Sequence, residues 1–378
     1  MGKFNLTQKI DRRTFSRQVG KGIGAAAIMS SLPFACSSAA IAQKEKLGIA
    51  LVGLGYYGSI LAESLQKTKI CELKGLVTGT PSKAKLWGSK YNIPEKNIYN
   101  YQNFDDIADN PDIDIVYVVL PNSMHKEFSI KAAKAGKHVI CEKPMALNVK
   151  ECEEIIAACN EAKVELGMGY RMHSEPYTQE VKRFAKENVF GKPHLVTSGS
   201  GYIMRGNPNQ WRLKKDLAGG GALMNMGVYS IQCAIYATGE QPIAVSAQEF
   251  KTMPDYFKEV DETITIQLEF PSGCIANLHT SHNANINDLY ITYENGWCRL
   301  EPAHSYGPIQ GETSKGVMDF PVVNQQAEQM DDFAKHILQD APNLCPGEMG
   351  LRDMQIVEAI YKSIDAGGKR IALDLIEF

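Results

Sequence analysis

From residue 46 to about residue 164, short apolar runs rich in β-branched side chains alternate with stretches of helical periodicity. KLGIALVGLG, IDIVYVVLP and GKHVICEKP carry apolar side chains at consecutive positions, and CELKGLVTG does so after Glu72 and Lys74, so the four read as buried parallel strands. Between them, residues 57–67, 81–91, 123–135 and 148–162 repeat apolar side chains at helical spacing. This alternation of strand and helix predicts a doubly wound parallel sheet, assigned here to residues 43–165.

Beyond that point the period changes. A helix is predicted near 174–188, then strands at 193–204, 242–251, 260–270, 273–281 and 287–294, with a glycine-led helix at 221–238 among them. Turns as short as the one in EFPSGCI join neighbouring strands, which predicts an antiparallel sheet. Helices near 323–338 and 348–366 close the chain. Residues 166–378 are therefore expected to form a second domain, and the fold class is a Rossmann-type α/β domain followed by an α+β domain with a mainly antiparallel sheet.

Open α/β sheets bind ligands at the carboxyl ends of their strands, and candidate chemistry gathers there. Gly53, Leu54, Gly55, Tyr56, Tyr57 and Gly58 spell G-x-G-x-x-G between a strand and a helix, the turn whose glycines let a pyrophosphate approach the backbone at a helix N-terminus. A dinucleotide is expected on it. The segment after the second strand, from Val77 to Lys83, has no carboxylate to accept a ribose 2′-hydroxyl, whereas Thr78 and Lys83 suit a 2′-phosphate. NADP is therefore expected over NAD. Leu120, Pro121, Asn122 and His125 follow the third run, and Glu142 and Lys143 end the fourth, all facing the same crevice as candidate cofactor contacts.

Composition changes this picture chiefly at the start of the chain. With 378 residues, 44% hydrophobic and 22% charged, two globular domains are accommodated. Lys3, Lys9, Arg12, Arg13, Arg17 and Lys21 stand against Asp11 alone before Gln43, so the remainder is net acidic and unsuited to nucleic acid or anionic lipid. The stretch Gly22–Gln43 has no charge and ends in Ala40-Ile41-Ala42, small residues where a signal peptidase reads, so an export signal over residues 1–42, cleaved near Ala42, is expected. Arg12-Arg13-Thr14-Phe15 resembles a twin-arginine signal, whose machinery carries folded proteins to the periplasm. No stable membrane association is expected after cleavage; an uncleaved anchor and lipidation at Cys36 are the competing readings of this leader. The nine cysteines show no metal-ligand spacing, and no metal is expected.

Taken together, GLGYYG, PNSMH, CEKPMA and AGGGALMNMGVYSIQ resemble the Gfo/Idh/MocA family of oxidoreductases, from about residue 46 to the C-terminus. GYRMHSEPY, QWRLKKDLAGGGALMNMGVY, CPGEMGLRDMQIVEAIY and the leader are most similar to its glucose-fructose oxidoreductase and periplasmic aldose oxidoreductase branch. The resemblance implies that Lys143 touches the reacting hydroxyl and the nicotinamide ribose, and that Tyr229 faces the same cleft. An ammonium beside a phenol favours the phenolate, so Tyr229 is expected as general acid/base with Lys143 as its electrostatic partner. Where the family usually carries Asp this chain has Asn225, which cannot exchange protons but can orient a sugar hydroxyl. Arg171, Trp211 and Arg212 have the chemistry to hold a sugar, with Tyr170 and His173 on the same rim, and Arg171 is also a candidate cofactor contact.

Outside the cytoplasm a nicotinamide enzyme has no evident pool of cofactor to exchange with. The resemblance implies an answer: NADP stays bound while one aldose is oxidised at C1 to its lactone and a second sugar is reduced, in ping-pong fashion. The alternatives are a conventional NADP(H)-dependent sugar or polyol dehydrogenase, an exported nucleotide-dependent glycosidase, and a non-catalytic sugar-binding protein. A homodimer or homotetramer formed through residues near 242–294 is expected from the resemblance.

Overall fold

The computed structural model describes residues 44–378; the expected export signal and Cys36 lie outside the described residues. Strands β1 (Leu47–Val52), β2 (Cys71–Val77), β3 (Ile98–Tyr99), β4 (Ile115–Val118), β5 (His138–Cys141) and β6 (Leu166–Met168) form one parallel sheet in the order β3-β2-β1-β4-β5-β6. Helices α1 (Tyr56–Leu65), α2 (Pro81–Tyr91), α3 (His125–Lys134) and α4 (Val149–Ala162) connect them. β1 and β4 are buried along their whole length, as their unbroken apolar runs predict. The strand order reverses between β1 and β4, which opens a crevice at their carboxyl ends. The sheet runs one strand past the expected boundary at 165, because β6, only three residues long, carries no period to read.

The second sheet has nine strands. Its order is β14-β13-β12-β11-β7-β10-β9-β8-β15, built from β7 (Pro193–Gly201), β8 (Ala244–Phe250), β9 (Thr263–Glu269), β10 (Ile275–Ser281), β11 (Ile286–Tyr293), β12 (Gly296–Leu300), β13 (Gly311–Thr313), β14 (Gly316–Met318) and β15 (Ile371–Ala372). All its pairings are antiparallel except one: β7 and β10 run parallel, from Leu195↔Ile275 to Gly201↔Ser281. The sheet is thus mainly antiparallel, as expected, with one parallel pair that short-range turns could not show. The chain leaves β7, builds a cleft wall and a helix, forms the β8–β9 hairpin, and returns on β10 beside β7 in the same direction.

Helices α5 (Pro176–Glu187), α6 (Val228–Thr238), α7 (Gln325–Gln339) and α8 (Gly347–Asp365) cover this half. The helix predicted at 221–238 divides: a π-helical turn, Leu223–Gly227, precedes α6. α6 packs on β7 and β10, with Ile231, Cys233 and Ala234 fully buried, and burial of Ile231 alone contributes about 1.5–3 kcal/mol. α8 packs on both α4 and β8, and Gly350 sits against Met145 and Met168, so residues 44–378 form one compact unit with a continuous core. The eight described cysteines are unpaired and buried, and burial pushes the thiols of Cys141 and Cys233 up to about 12, so they behave as core residues. Among the described residues no helix is long and apolar enough to cross a membrane.

Candidate active site

A cavity of about 650 Å³ opens at the crevice between β1 and β4 and is closed on its far side by the π-helical turn and the start of α6. At its floor, β1 ends in the glycine turn. Gly53 adopts φ +106°, and a Cβ at Gly58 would lie 2.4 Å from the Gly53 carbonyl oxygen, so these two glycines let helix α1 close onto the strand. Gly55 differs: a Cβ there would meet no atom within 4 Å, because it faces the open cleft. α1 begins at Tyr56 with neither a side-chain cap nor an acidic first-turn residue, which leaves its amide hydrogens for an anion. This uncapped, side-chain-free cradle fits the pyrophosphate of a dinucleotide.

Thr78, Thr80, Lys83 and Tyr101 continue the wall past β2 without a carboxylate. Thr78 Oγ1 accepts from the Thr80 amide at 3.2 Å, and Lys83 Nζ donates to the Leu54 carbonyl at 3.0 Å, which holds the ammonium over the glycine turn. Leu120, Pro121, Asn122 and His125 line the next stretch. Two of these are occupied with the protein itself. His125 sets one ring nitrogen 2.9 Å from the Leu120 carbonyl and the other 2.8 Å from that of Pro144, and Asn122 Nδ2 donates to the Ala218 carbonyl at 2.8 Å. They shape the cleft by tying its walls together.

The reactive groups meet above this floor. Lys143, which precedes Pro144 across a cis bond, donates from Nζ to the Asn225 carbonyl at 2.6 Å, and its ammonium lies 4.7 Å from the centre of the Tyr229 ring. The lysine thus sits over the ring face. On the other side Arg171, buried, has its guanidinium carbon 5.2 Å from the Tyr229 ring and 4.6 Å from that of Tyr306. Burial alone would push the Tyr229 phenol up; the charges of Arg171 and Lys143 outweigh it and hold the phenol below its ordinary value of 10. Tyr57, stacked on Tyr306 at 6.2 Å, moves the opposite way, chiefly through burial and the nearby Glu142. Glu142 accepts from the Tyr117 hydroxyl at 2.7 Å and from the Lys143 amide at 3.2 Å, and burial pushes its carboxyl up to about 7. Tyr229 is therefore the phenol in this cleft fitted to exchange a proton.

The π-helical turn shapes the other wall. Asp261 accepts from the Gly221 amide at 2.7 Å, the Leu223 amide at 2.8 Å and the Tyr361 hydroxyl at 2.7 Å, pinning the start of the turn. The carbonyls of Ala222, Asn225 and Met226 accept from Thr280, Lys143 and Ser200. The extra residue of a π turn re-aims the side chains after it, and here it sets Asn225 and Tyr229 on one wall.

Most of the residues singled out in the sequence meet in this cleft. Tyr56, Trp211 and Arg212 also line it, with the Arg212 guanidinium carbon 4.4 Å from the Trp211 ring centre. Three do not reach its surface. Gly58 lies beneath the turn. Tyr170 and His173 are packed behind the wall, where His173 bonds Gln232 and stands 3.3 Å from Lys182 Nζ, so neither is a rim contact. Arg171 lines the cleft, but its terminal nitrogens donate to the His304 and Ser305 carbonyls and to Gln325, so its charge acts on Tyr229 while those donors are spent on the protein. Sequence reasoning missed Tyr101, Tyr202, His304, Ser305 and Tyr306. None of the five stood in a readable motif; Tyr101 follows β3, a strand of two residues that shows no period.

Residues 47–170 match the oxidoreductase family with an NAD-binding Rossmann fold, and residues 178–299 match the GFO/IDH/MocA C-terminal domain. The crystal structure of aldose-aldose oxidoreductase from Caulobacter crescentus complexed with glycerol is 40% identical, covers 87% of this chain and 100% of its own, and superimposes with a TM-score of 0.84. The D-xylose 1-dehydrogenase [NADP(+)] of Haloarcula marismortui is 28% identical over 83% of this chain and 90% of that protein. The 2,7-anhydro-N-acetylneuraminate hydratase of Escherichia coli is 29% identical over 75% of each. Both halves of the chain, and the cleft they share, place it in one lineage: it belongs to the Gfo/Idh/MocA family of oxidoreductases.

Proposed function

We propose that this chain is an exported sugar oxidoreductase that keeps NADP bound, oxidises an aldose at C1 to the lactone and reduces a second sugar in the same cleft. The observation that carries this reading is the shared cavity, in which an open glycine cradle and a phenol flanked by two cations face one another. Held on the glycine turn and along Thr78 and Lys83, NADP would supply the hydride acceptor for the first sugar and, once reduced, the hydride donor for the second. Tyr229 receives the C1 hydroxyl proton during oxidation and gives it back to the carbonyl oxygen of the acceptor, so protons and electrons both balance over the cycle. Lys143 and Arg171 stabilise the phenolate from which oxidation starts and which reduction of the second sugar restores. Trp211 and Arg212 offer a ring face and donors to a pyranose. The likeness to the aldose-aldose oxidoreductase of Caulobacter, and the Arg12-Arg13 leader ahead of an expected cleavage near Ala42, support a periplasmic aldose-using enzyme. We place its self-association, as dimer or tetramer, on the sheet around residues 242–294.

Purification of the mature protein without added nucleotide, denaturation and assay of the supernatant tests the reading. Near-stoichiometric NADP is expected, together with coupled oxidation and reduction of sugar pairs. Empty protein that binds NADP reversibly would overturn internal recycling and favour a conventional dehydrogenase, a reading supported by the name of the Haloarcula relative.

Cofactor choice has its own test. Lys83 is the cation nearest the ribose end of the wall, so Lys83→Ala is expected to weaken NADP about tenfold, the worth of one charge-assisted contact, and to leave NAD within about twofold. Fluorescence titration with both nucleotides reads the difference. Equal losses for the two would remove Lys83 from 2′-phosphate recognition.

A further inference from the structure

β7 and β10 are parallel neighbours, so the residues that follow them emerge side by side at the same edge. Those residues are Tyr202 and His282. The Tyr202 amide donates to the Ser281 carbonyl at 3.1 Å and the Met204 amide to that of His282 at 2.8 Å, which keeps the two segments in step beyond the sheet. The His282 ring is fully buried, 5.2 Å from the ring centre of Tyr202 and 6.3 Å from that of Phe257. Both side chains close on one partner: Asn225 Nδ2 lies 3.1 Å from Tyr202 Oη and 3.0 Å from His282 Nε2.

An amide nitrogen has two hydrogens, and here each has an acceptor. Burial pushes His282 down to about 4, so the ring is neutral at ordinary pH, and with its proton on Nδ1, which meets no partner among the described residues, Nε2 accepts. With both Nδ2 hydrogens engaged, Oδ1 is the polar atom Asn225 has left, and the residue lines the sugar side of the cleft. No protein group among the described residues donates to that oxygen.

We infer that Tyr202 and His282 are positioning residues that clamp the Asn225 amide and hold its Oδ1 towards the cleft as a fixed acceptor for a sugar hydroxyl. This rests on the sugar-oxidising function proposed above. The clamp explains how an amide serves at this place. A freely turning Asn would present donor and acceptor alternately to the substrate, whereas a clamped one presents only the acceptor face that a carboxylate would offer. It also gives the parallel β7–β10 pair a functional consequence.

The test is a double-mutant cycle on holoenzyme with aldose as the probe. Asn225→Ala and His282→Phe are each expected to lower kcat/KM for the aldose about tenfold, the scale of one neutral hydrogen bond, and to do so through KM. The double variant is expected to be no worse than either single one. His282→Gln, which restores an acceptor, and Tyr202→Phe, which leaves the buried imidazole untouched, are expected to show intermediate losses with the NADP content unchanged. Multiplicative losses of about a hundredfold in the double variant, or an Asn225→Ala enzyme with unaltered aldose kinetics, would overturn the inference. If no sugar is turned over the proposed function falls, and the clamp is read separately from Asn-labelled protein. Slow exchange of the Asn225 side-chain amide hydrogens that is lost in His282→Phe supports the clamp; fast exchange in the parent chain sinks it.

Discussion

Tyr229→Phe is expected to lower turnover in the sugar-oxidising half-reaction by roughly a hundredfold to ten-thousandfold, the range for loss of a positioned acid/base group. The substitution removes one oxygen and keeps the ring that stacks on His304 at 5.7 Å, so folding and NADP content should hold. Asn225→Ala, which removes an acceptor and no proton-transfer group, is expected to cost about tenfold in kcat/KM through KM and to leave kcat near the parental value. Comparable losses in kcat for the two would refute this division of roles. The pH profile adds a second reading of the same residue. Oxidation requires the phenolate, so its rate should rise with pH and level off at the Tyr229 pKa, which Arg171 and Lys143 hold below 10 against the opposing effect of burial. Lys143→Met removes one of those charges, and the rise should move to higher pH. Stopped-flow measurement of reduction of the bound cofactor at a series of pH values reads both variants; a Lys143→Met profile that stayed in place would remove the lysine from control of the phenol.

Glu142 opposes these cations. Its carboxyl ionises near 7, and as it does so its charge raises the Tyr229 pKa, so the group that most needs its proton removed stands beside one that resists the removal. Arg171 is what keeps the balance favourable. Its terminal nitrogens are anchored by His304, Ser305 and Gln325, which fixes the charge between the Tyr229 and Tyr306 rings. The segment that follows β12 and the start of α7 therefore hold in place the buried charge that faces Tyr229.

How much of this was legible follows from how each part is encoded. β1, β4 and β5 carry their burial as apolar runs and β2 as one interrupted by Glu72 and Lys74, and Gly53, Gly55, Asn122, Lys143 and Tyr229 sit in local motifs, so the parallel sheet and the cofactor side of the cleft could be drawn from residue order. β3, β6 and β13–β15, two or three residues each, are too short to show a period. The pairing of β7 with β10 joins segments about 80 residues apart through seven paired positions. Nothing local announces it, and with it went Tyr202 and His282, whose roles exist only because two distant strand ends are neighbours. His304 and Tyr306 were hidden in the same way. Arg171 shows the converse error: its type suits a sugar contact, but its local sequence contains no hint that carbonyls more than 130 residues later would take up its donors.

Gly55→Val is expected to reduce NADP affinity by more than roughly a hundredfold while leaving the apo-protein's melting temperature within about 2 °C of the parent, because exposed substitutions without steric conflict usually change stability little. Gly55 has φ −88° and ψ −166°, a conformation open to any residue, and its Cβ direction points into empty cleft. A valine there fills only the space into which a pyrophosphate must come, and it screens the uncapped amides of α1. Gly58→Val should behave in the opposite manner. Its Cβ would stand 2.4 Å from the Gly53 carbonyl oxygen, a backbone atom that cannot swing aside, so strand and helix must separate and stability should fall by about 1–3 kcal/mol. Thermal melts with and without NADP distinguish the two: the Gly55 variant keeps its apo transition and loses the nucleotide-dependent shift, whereas the Gly58 variant melts early in both. A Gly55→Val protein that still bound NADP at parental strength would place the pyrophosphate elsewhere, and with it would go the alignment of the nicotinamide end with Lys143 and Tyr229 on which the proposed chemistry depends.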